Sequence, residues 1–455
     1  MQQEARVENK MGVMPVTKLI ITMSLPIMAS MLVQALYNIV DSVFVAQISE
    51  NALTAVSMAF PIQNLMIAVA TGTGVGINAL LSRNLGAKNY EKANEIASHA
   101  IFLAAASYLV FLAIGIFGSE AFFRSQTDIE EIIVQGTEYI RICCCLSLGL
   151  FISILCERML QSTGKTVLSM YSQGAGAITN IIMDPILIFG MFGFPAMGVA
   201  GAAYATVAGQ IVSAVISVML NIKKNKEIEI RLKGFRPNFG LIKQIYGIGI
   251  PSIIMASIGS IMNYGMNRIL LGFTSTATAV FGVYFKLQSF IFMPVFGLNN
   301  GVIPVIAYNY GAGNKERVVK AIKASAVIAL LIMTAGVIAF QTIPDVLLKM
   351  FDASETMLFI GVPALRVISL SFIFAAVGIA CSSAFQALGY AFYSMLMSIV
   401  RQLVVLLPVA YLLSMTGEVR LVWFAFPIAE VVAIILCAFF MAYIYKTVIS
   451  KIGTR

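Results

Sequence analysis

The segment from residue 24 to residue 47 reads SLPIMASMLVQALYNIVDSVFVAQ. It is long and apolar enough to cross a membrane as one helix, yet Pro26 removes a backbone donor and bends that helix. Asp41 lies deep in the same segment, where an ionised carboxylate is costly. Spacing at i, i+3, i+4 and i+7 places four polar side chains on one helical face: Gln34, Tyr37, Asn38 and Asp41. We interpret this stripe as a cation pathway, with Pro26 as the hinge of the helix.

The composition is that of a polytopic membrane protein. Hydrophobic residues make up 59% of the 455 residues and charged residues only 11%, and the mean hydropathy is +0.91. At roughly 20 residues per spanning helix, the chain holds about a dozen spans. The net charge of +9 is concentrated in a few loops, as the positive-inside rule predicts, so we expect no nucleic-acid partner.

The apolar pattern predicts twelve spans joined by short connections. They lie near residues 17–48, 52–82, 94–118, 132–156, 166–192, 197–222, 242–271, 277–307, 319–343, 357–385, 391–415 and 420–446. Basic residues cluster between residues 223 and 243, whereas acids such as Glu130, Asp352 and Glu418 lie in the opposite connections. This distribution predicts that both termini are cytoplasmic.

The predicted organisation is therefore two six-span lobes with three cytoplasmic pieces. A cytoplasmic N-terminal segment covers 1–16, the N-lobe 17–222, a cytoplasmic linker 223–241, the C-lobe 242–446 and a cytoplasmic tail 447–455. We expect a monomer in the lipid bilayer of the cell inner (plasma) membrane.

An internal repeat appears when the sequence is shifted by 225 residues. The shift pairs Pro26 with Pro251, and it continues over much of each half. Further pairs are Asn38 with Asn263, Gln63 with Gln288, Gly76 with Gly301, Gly136 with Gly361, Arg141 with Arg366 and Gln161 with Gln386. Because each half has an even number of spans, the two lobes share one topology. The all-α fold is thus predicted to have a pseudo-two-fold axis along the membrane normal, which is typical of transporters.

Several motifs in these halves resemble the multidrug and toxic compound extrusion (MATE) family over nearly the whole chain. They are Tyr-Asn-Ile-Val-Asp at 37–41, the paired Leu-Gly-Ala and Tyr-Gly-Ala loops at 85–87 and 310–312, the Gln-Ser-Thr-Gly and Gln-Ala-Leu-Gly turns at 161–164 and 386–389, Asn-Ile-Ile-Met-Asp-Pro at 180–185, and Val-Ile-Pro-Val-Ile-Ala-Tyr-Asn at 302–309. The resemblance implies two six-helix lobes around a cavity. It also implies efflux of organic, often cationic compounds driven by inward H⁺ or Na⁺. The chain most resembles the bacterial branches of the family, which have the cation site in the N-terminal lobe.

Helical rise predicts that five polar side chains of the N-lobe reach a similar depth. At about 1.5 Å per residue, Asp41 lies roughly 36 Å along span 1 and Asp184 about 27 Å along span 5, both in the outer half. The predicted cation-coupling cluster is Asp41, Asp184, Asn180, Tyr139 and Thr206, supported by Tyr37, Asn38 and Gln34. Two confined carboxylates should titrate as a coupled pair. The oxygens of Asp41, Asn180 and Asp184 could also supply ligands to Na⁺.

The C-lobe lacks this acidic pattern. The repeat counterparts of Asp41 and Asp184 are Met266 and Val409, so a second cation site of this kind is not expected there. Candidate residues for a substrate cavity are Asn263, Lys286, Asn299 and Asn300. Lys286, Arg401 and Glu430 lie within spans 8, 11 and 12. They could form a compensated structural network or take part in substrate binding or coupling. In the N-lobe, the adjacent Glu157 and Arg158 are interpreted as a local ion pair.

Three other functions compete with an antiporter. A flippase or exporter of a lipid-linked or endogenous metabolite could use the same two-lobe scaffold, but it usually brings extra spans and a cationic cavity. An intramembrane enzyme needs a nucleophile–base set or an Asp-rich metal motif, which this chain with its single histidine lacks, so we predict no catalytic residue and no cofactor. A channel does not require a doubled fold with proline-bent helices. We therefore predict a secondary active antiporter that exports small organic, cationic or amphipathic substrates in exchange for H⁺ or Na⁺.

Overall fold

The computed structural model describes residues 9–351 and 353–453. The first eight residues of the predicted N-terminal segment, Asp352 and the last two residues of the predicted tail lie outside this range. Within it the chain is helical and contains no β-strand.

Nineteen α-helices and a π-helical segment at Val400–Leu406 follow one another along the described residues. The α-helices are α1 Lys10–Val13, α2 Val16–Ala46, α3 Glu50–Gly86, α4 Tyr90–Phe117, α5 Ser119–Arg124, α6 Glu130–Cys145, α7 Leu148–Ser162, α8 Thr166–Phe189, α9 Gly198–Lys224, α10 Phe239–Leu271, α11 Ser275–Gly311, α12 Lys315–Thr342, α13 Pro344–Lys349, α14 Glu355–Ser369, α15 Ser371–Ala387, α16 Ala391–Ile399, α17 Leu407–Ser414, α18 Val419–Val422 and α19 Ala425–Thr447.

The helices account for all twelve predicted spans. In the described part of the chain, nine helical segments are long and apolar enough to cross a membrane, and two bent pairs bring the number to eleven. The bent pairs are α6 with α7, at 47°, and α14 with α15, at 43°. The remaining predicted span coincides with α8, which is 24 residues long. It is less apolar than the others because it carries Gln173, Asn180 and Asp184.

The internal repeat is visible in helix lengths and in capping. Helices α3 and α11 both have 37 residues, and α4 and α12 both have 28. The N-cap side chains also correspond, because Ser49 caps α3 as Thr274 caps α11, and Asn89 caps α4 as Asn314 caps α12. Each accepts a hydrogen bond from a backbone N–H of the first helical turn, which would otherwise lack a partner.

The described chain forms two compact units. The N-unit is residues 29–253, and the C-unit combines residues up to Met28 with Ile254 and the residues that follow. Both boundaries fall two residues after a proline inside a helix, Pro26 in α2 and Pro251 in α10. Each unit therefore contains the first part of one of these helices and the second part of the other. The compact units are bounded differently from the predicted lobes, because a proline lets one helix change its packing neighbours midway.

Small residues let these first parts pack closely. In the N-unit, a side chain at Gly76 of α3 would collide with the carbonyl oxygen of Ile245 in α10. In the C-unit, a side chain at the repeat counterpart Gly301 of α11 would collide with Ser24 in α2. Glycine at both positions allows two membrane helices to approach backbone to backbone. The rest of the N-unit then positions α2, α6, α8 and α9 around the candidate site.

Candidate functional site

The N-unit brings the two predicted coupling acids together. Asp41 lies in the second part of α2, and Asp184 lies on α8, where Pro185 follows it. Their carboxyl groups lie close enough to interact directly with each other. Asp184 is fully buried and Asp41 is half-buried. Since two ionised carboxylates can only accept hydrogen bonds and repel each other, this contact requires a shared proton or a cation to be favourable.

Four buried oxygen atoms of this cluster accept no hydrogen bond from any residue that the structure describes. They are Oδ1 of Asp41, Oδ1 and Oδ2 of Asp184, and Oδ1 of Asn180. Asn180 lies one turn before Asp184 on α8, and its Nδ2 donates to Oγ1 of Thr206 on α9 at 3.4 Å. Buried acceptors without donors cost free energy. A proton, or a hard cation that prefers carboxylate and amide oxygens, fits this donor set.

Tyr139 belongs to this cluster and is hydrogen-bonded to Gln63, a residue that the spacing of polar residues did not indicate. The hydroxyl of Tyr139, on α6, accepts a hydrogen bond at 2.9 Å from Nε2 of Gln63 on α3. Tyr139 is fully buried and lies close enough to Asp41 for the two side chains to interact electrostatically. The pairing of Gln63 with Gln288 in the repeat was the available signal for this residue, but it pointed to the fold and not to the site.

The polar stripe on α2 divides into two parts. Gln34 and Tyr37 are half-buried, and their side chains lie close to each other. Tyr37 also lies in electrostatic range of both Asp41 and Asp184. Asn38 is exposed and does not join them. Shared helical spacing therefore groups three of the four side chains.

The C-unit has apolar side chains at the positions that correspond to the two acids. Met266 on α10 is fully buried, and Val409 lies on α17 and is half-buried. At these two positions the C-unit therefore has no carboxyl group, as its sequence indicates.

The candidate substrate residues of the C-unit do not share one environment. Asn263 and Asn300 are half-buried, whereas Lys286 is exposed. The ammonium group of Lys286 lies 6.0 Å from the ring centroid of Phe351, a distance at which a cation–π attraction is weak.

Asn299 is the candidate of this group that borders a cavity. It lines a small internal cavity in the C-unit together with Ser325 and Ser383. Its Oδ1 atom is buried and accepts no hydrogen bond within the described chain. This oxygen could accept a hydrogen bond from a bound molecule.

Arg401 and Glu430 form an ion pair inside the C-unit. Nη1 of Arg401 lies 3.0 Å from Oε1 of Glu430, and the two side chains are mostly buried. Arg401 lies in the π-helical segment between α16 and α17. Tyr284 packs its ring against Phe426, one turn before Glu430, with the centroids 5.8 Å apart. Two members of the predicted network, Arg401 and Glu430, therefore pair with each other. Lys286 is exposed and forms no ion pair with them among the residues that the structure describes.

Comparison with known proteins extends over most of the chain. The MatE family model matches residues 26–186 and 251–412, two regions that begin at the two repeat-related prolines. Multidrug export protein MepA of Staphylococcus aureus (strain MRSA252) is 26% identical over 411 residues, which cover 90% of each chain. A crystal structure of MATE in the straight conformation is 26% identical, covers 96% of this chain and 99% of its own, and has a TM-score of 0.90. A crystal structure of MATE in the bent conformation is 25% identical and covers 97% of each chain, with a TM-score of 0.89.

These matches agree with the helices and the repeat described above. The protein is an integral membrane protein with twelve transmembrane helices in two six-helix lobes. The double match to one family model, at the offset read from the sequence, confirms the internal repeat. The chain therefore belongs to the MatE family, the multidrug and toxic compound extrusion transporters.

Proposed function

We propose that this chain exports small organic compounds, cationic or amphipathic in character, in exchange for inward movement of H⁺ or Na⁺ through the N-unit cluster. The observation that carries the proposal is the set of four buried oxygens of Asp41, Asp184 and Asn180 that accept no hydrogen bond in the described residues. The proposed substrate class is supported by the similarity of the chain to MepA, a multidrug export protein.

The chemistry of coupling follows from charge. A bound proton or Na⁺ neutralises part of the negative charge shared by Asp41 and Asp184, and its departure restores their repulsion. A cation can shift a conformational equilibrium only by the difference in its affinity for the two states. Coupling therefore requires that the distance between the two acids changes during transport.

Helix α2 is the element best suited to make that change. It carries Asp41 in its second part and the hinge residue Pro26 fifteen residues earlier. Because Pro26 leaves a backbone acceptor without its usual donor, bending at this point costs little. The similarity to MATE structures in both a straight and a bent conformation supports a two-state cycle.

The decisive experiment measures efflux of a fluorescent organic cation from proteoliposomes under a pH gradient and a Na⁺ gradient imposed separately. The gradient that drives efflux identifies the coupling ion. Asp41→Asn should abolish efflux driven by that gradient. Met266→Leu, at the repeat counterpart of Asp41, is the matched control and should retain transport because it conserves volume. Normal coupled efflux by the Asp41→Asn protein would show that the cluster does not couple transport.

The orientation and assembly belong to the same proposal. We place the protein in the plasma membrane as a monomer, with both termini in the cytoplasm, because the basic linker and tail favour that side. An epitope at the C-terminus should be protected in intact cells and accessible in inverted vesicles. Accessibility in intact cells would reverse the orientation.

A further inference from the structure

A second buried carboxylate lies in the N-unit, apart from the Asp41–Asp184 cluster. Glu157, on α7, is 4% exposed. Its Oε1 accepts hydrogen bonds from the hydroxyl groups of Ser172 on α8, at 2.8 Å, and Ser213 on α9, at 3.0 Å. Its Oε2 accepts a hydrogen bond from Nε2 of Gln173 at 2.6 Å. Two neighbouring helices, α8 and α9, thus donate hydrogen bonds to one acid on α7.

The ion pair expected from the sequence is not formed. Among the residues that the structure describes, Glu157 contacts hydroxyl and amide groups instead of the guanidinium of Arg158. Arg158 instead donates from Nη1 to Oε1 of Gln161 at 3.0 Å, since adjacent residues on a helix point in different directions. The titratable or charged neighbours of Glu157 on its own helix are Arg158 and the thiol of Cys156. The contacts from α8 and α9 are all neutral.

The surrounding hydroxyl groups can satisfy either form of this carboxyl. When Glu157 is ionised, Ser172, Gln173 and Ser213 all donate to it. When it is protonated, it can donate to Oγ of Ser172, which then turns its own hydrogen to the carbonyl oxygen of Ser169 at 3.3 Å. A serine hydroxyl both donates and accepts, so the exchange breaks no hydrogen bond in this chain of groups.

Glu157 and the Asp41–Asp184 cluster are both in contact with residues of α8. Gln173, which bonds Glu157, lies seven residues before Asn180 and eleven before Asp184 on α8, spacings that keep all three on one face. The rise of the helix separates Gln173 from Asp184 by about 17 Å. Glu157 and the Asp41–Asp184 cluster therefore contact α8 at two different depths.

We propose that Glu157 is a proton-binding site of the N-unit, separate from Asp41 and Asp184. This proposal rests on the proposed transport function, because Glu157 would take up and release one proton during the transport cycle. The proton binds an Oε atom of Glu157 and changes the side chain from −1 to neutral, while Ser172 redirects its hydrogen to Ser169. Release reverses both steps and returns the proton to water. This proposal does not rest on which cation binds at Asp41 and Asp184.

The test is infrared spectroscopy of the purified protein in lipid vesicles, titrated across the pH range in which it transports. The background is the Asp41→Asn, Asp184→Asn double variant, so that the outer cluster cannot contribute. Because the other carboxyl groups of the chain also contribute, the measured quantity is the difference between this background and the same background with Glu157→Gln added. We expect that difference in the carboxylic-acid band to amount to about one protonation per chain. If the band attributable to Glu157 stays constant over this range, Glu157 is a permanent anion and the proposal is wrong.

A second variant keeps the proposal testable if Glu157→Gln fails to fold. Ser213→Ala retains the carboxyl but removes one donor to its ionised form, so it should move the pH midpoint of the band. An identical midpoint in the Ser213→Ala protein and its parent would overturn the proposal. The titration is repeated with Na⁺ replaced by K⁺. A band change that occurs only in Na⁺ would identify a Na⁺ site and reject the proton assignment.

Discussion

Helix α8 and its repeat counterpart, the segment from α16 to α17, contact their neighbouring helices through different residues at equivalent positions. Gly176 of α8 lies against Gly209 of α9, so the two helices approach closely. The equivalent position in the C-unit is Arg401, which pairs with Glu430 of α19. The helix around Arg401 is π-helical, a local widening that is often found at functional sites.

The same pair of helices differs in how charge is balanced. On α8, Asp184 has no cationic partner among the described residues, and its contact is a second acid. On the counterpart helix, Arg401 and Glu430 neutralise each other. A site that binds and releases a cation needs negative charge that no protein cation neutralises. In an ion pair, the arginine already neutralises the carboxylate. This difference in charge balance supports placing the proposed cation site in the N-unit.

The largest effect should come from removing the unbalanced charge. Asp184→Asn should abolish gradient-driven efflux in proteoliposomes, because an amide can neither take up a proton nor neutralise Na⁺ at this site. Val409→Ala, at the repeat counterpart, should retain most of the transport rate. Equal loss in both variants would mean that the two halves do not differ in coupling.

The next largest effect should come from breaking the ion pair. Arg401→Met leaves Glu430 buried without a partner and should lower the free energy of unfolding by about 3–5 kcal/mol. The double variant Arg401→Met, Glu430→Leu removes both charges and should recover most of this loss. Thermal unfolding in detergent measures both. If the double variant is as unstable as the single one, the pair is not simply a balanced structural contact.

A smaller effect should come from the glycine contact that replaces this ion pair in the N-unit. Gly176→Ala places a methyl group 2.8 Å from the carbonyl oxygen of Gly209, and should destabilise the protein by about 1–3 kcal/mol. Gly174→Ala is the matched control on the same helix, because a methyl group there meets nothing within 4 Å. It should be neutral or slightly stabilising. A destabilised Gly174→Ala protein would point to helix flexibility and not to packing.

The smallest effect should come from Gln63. Gln63→Leu removes the donor to the Tyr139 hydroxyl and should cost about 1 kcal/mol of stability. It should also change the dependence of efflux on the coupling ion, because Tyr139 lies near Asp41. Gln288→Leu, its counterpart, should leave that dependence unchanged. If both variants change the dependence of efflux on the coupling ion by the same amount, Gln63 has no specific role at the proposed cation site.

Much of the site could be read from the sequence, because helical rise is regular. Counting residues along each span brought Asp41, Asp184 and Asn180 to one depth, and the structure has these residues in one cluster. A second rule, the spacing of residues around the helix axis, included Asn38, which is exposed. Neither rule describes contacts between helices, so neither selected Gln63, whose side chain reaches Tyr139 from another helix.

The failed ion pair has a similar cause. Glu157 and Arg158 are adjacent in sequence and opposite in charge, which suggested a local contact. Neighbouring residues on a helix diverge by about 100°, so each side chain met a different set of helices. Only the packing of α8 and α9 against α7 supplies the serine and glutamine groups that surround Glu157.

The sequence by itself determined the class of protein, the number of spans, the repeat and the half that carries the acids. These follow from hydropathy, from residue identity at a constant offset and from charge, all of which are local or periodic. Only the tertiary structure decided that the compact units change at Met28 and Ile253, after Pro26 and Pro251. It also decided which buried oxygens remain without donors. Both depend on contacts between residues far apart in the chain, where side-chain direction and close glycine packing select the neighbours.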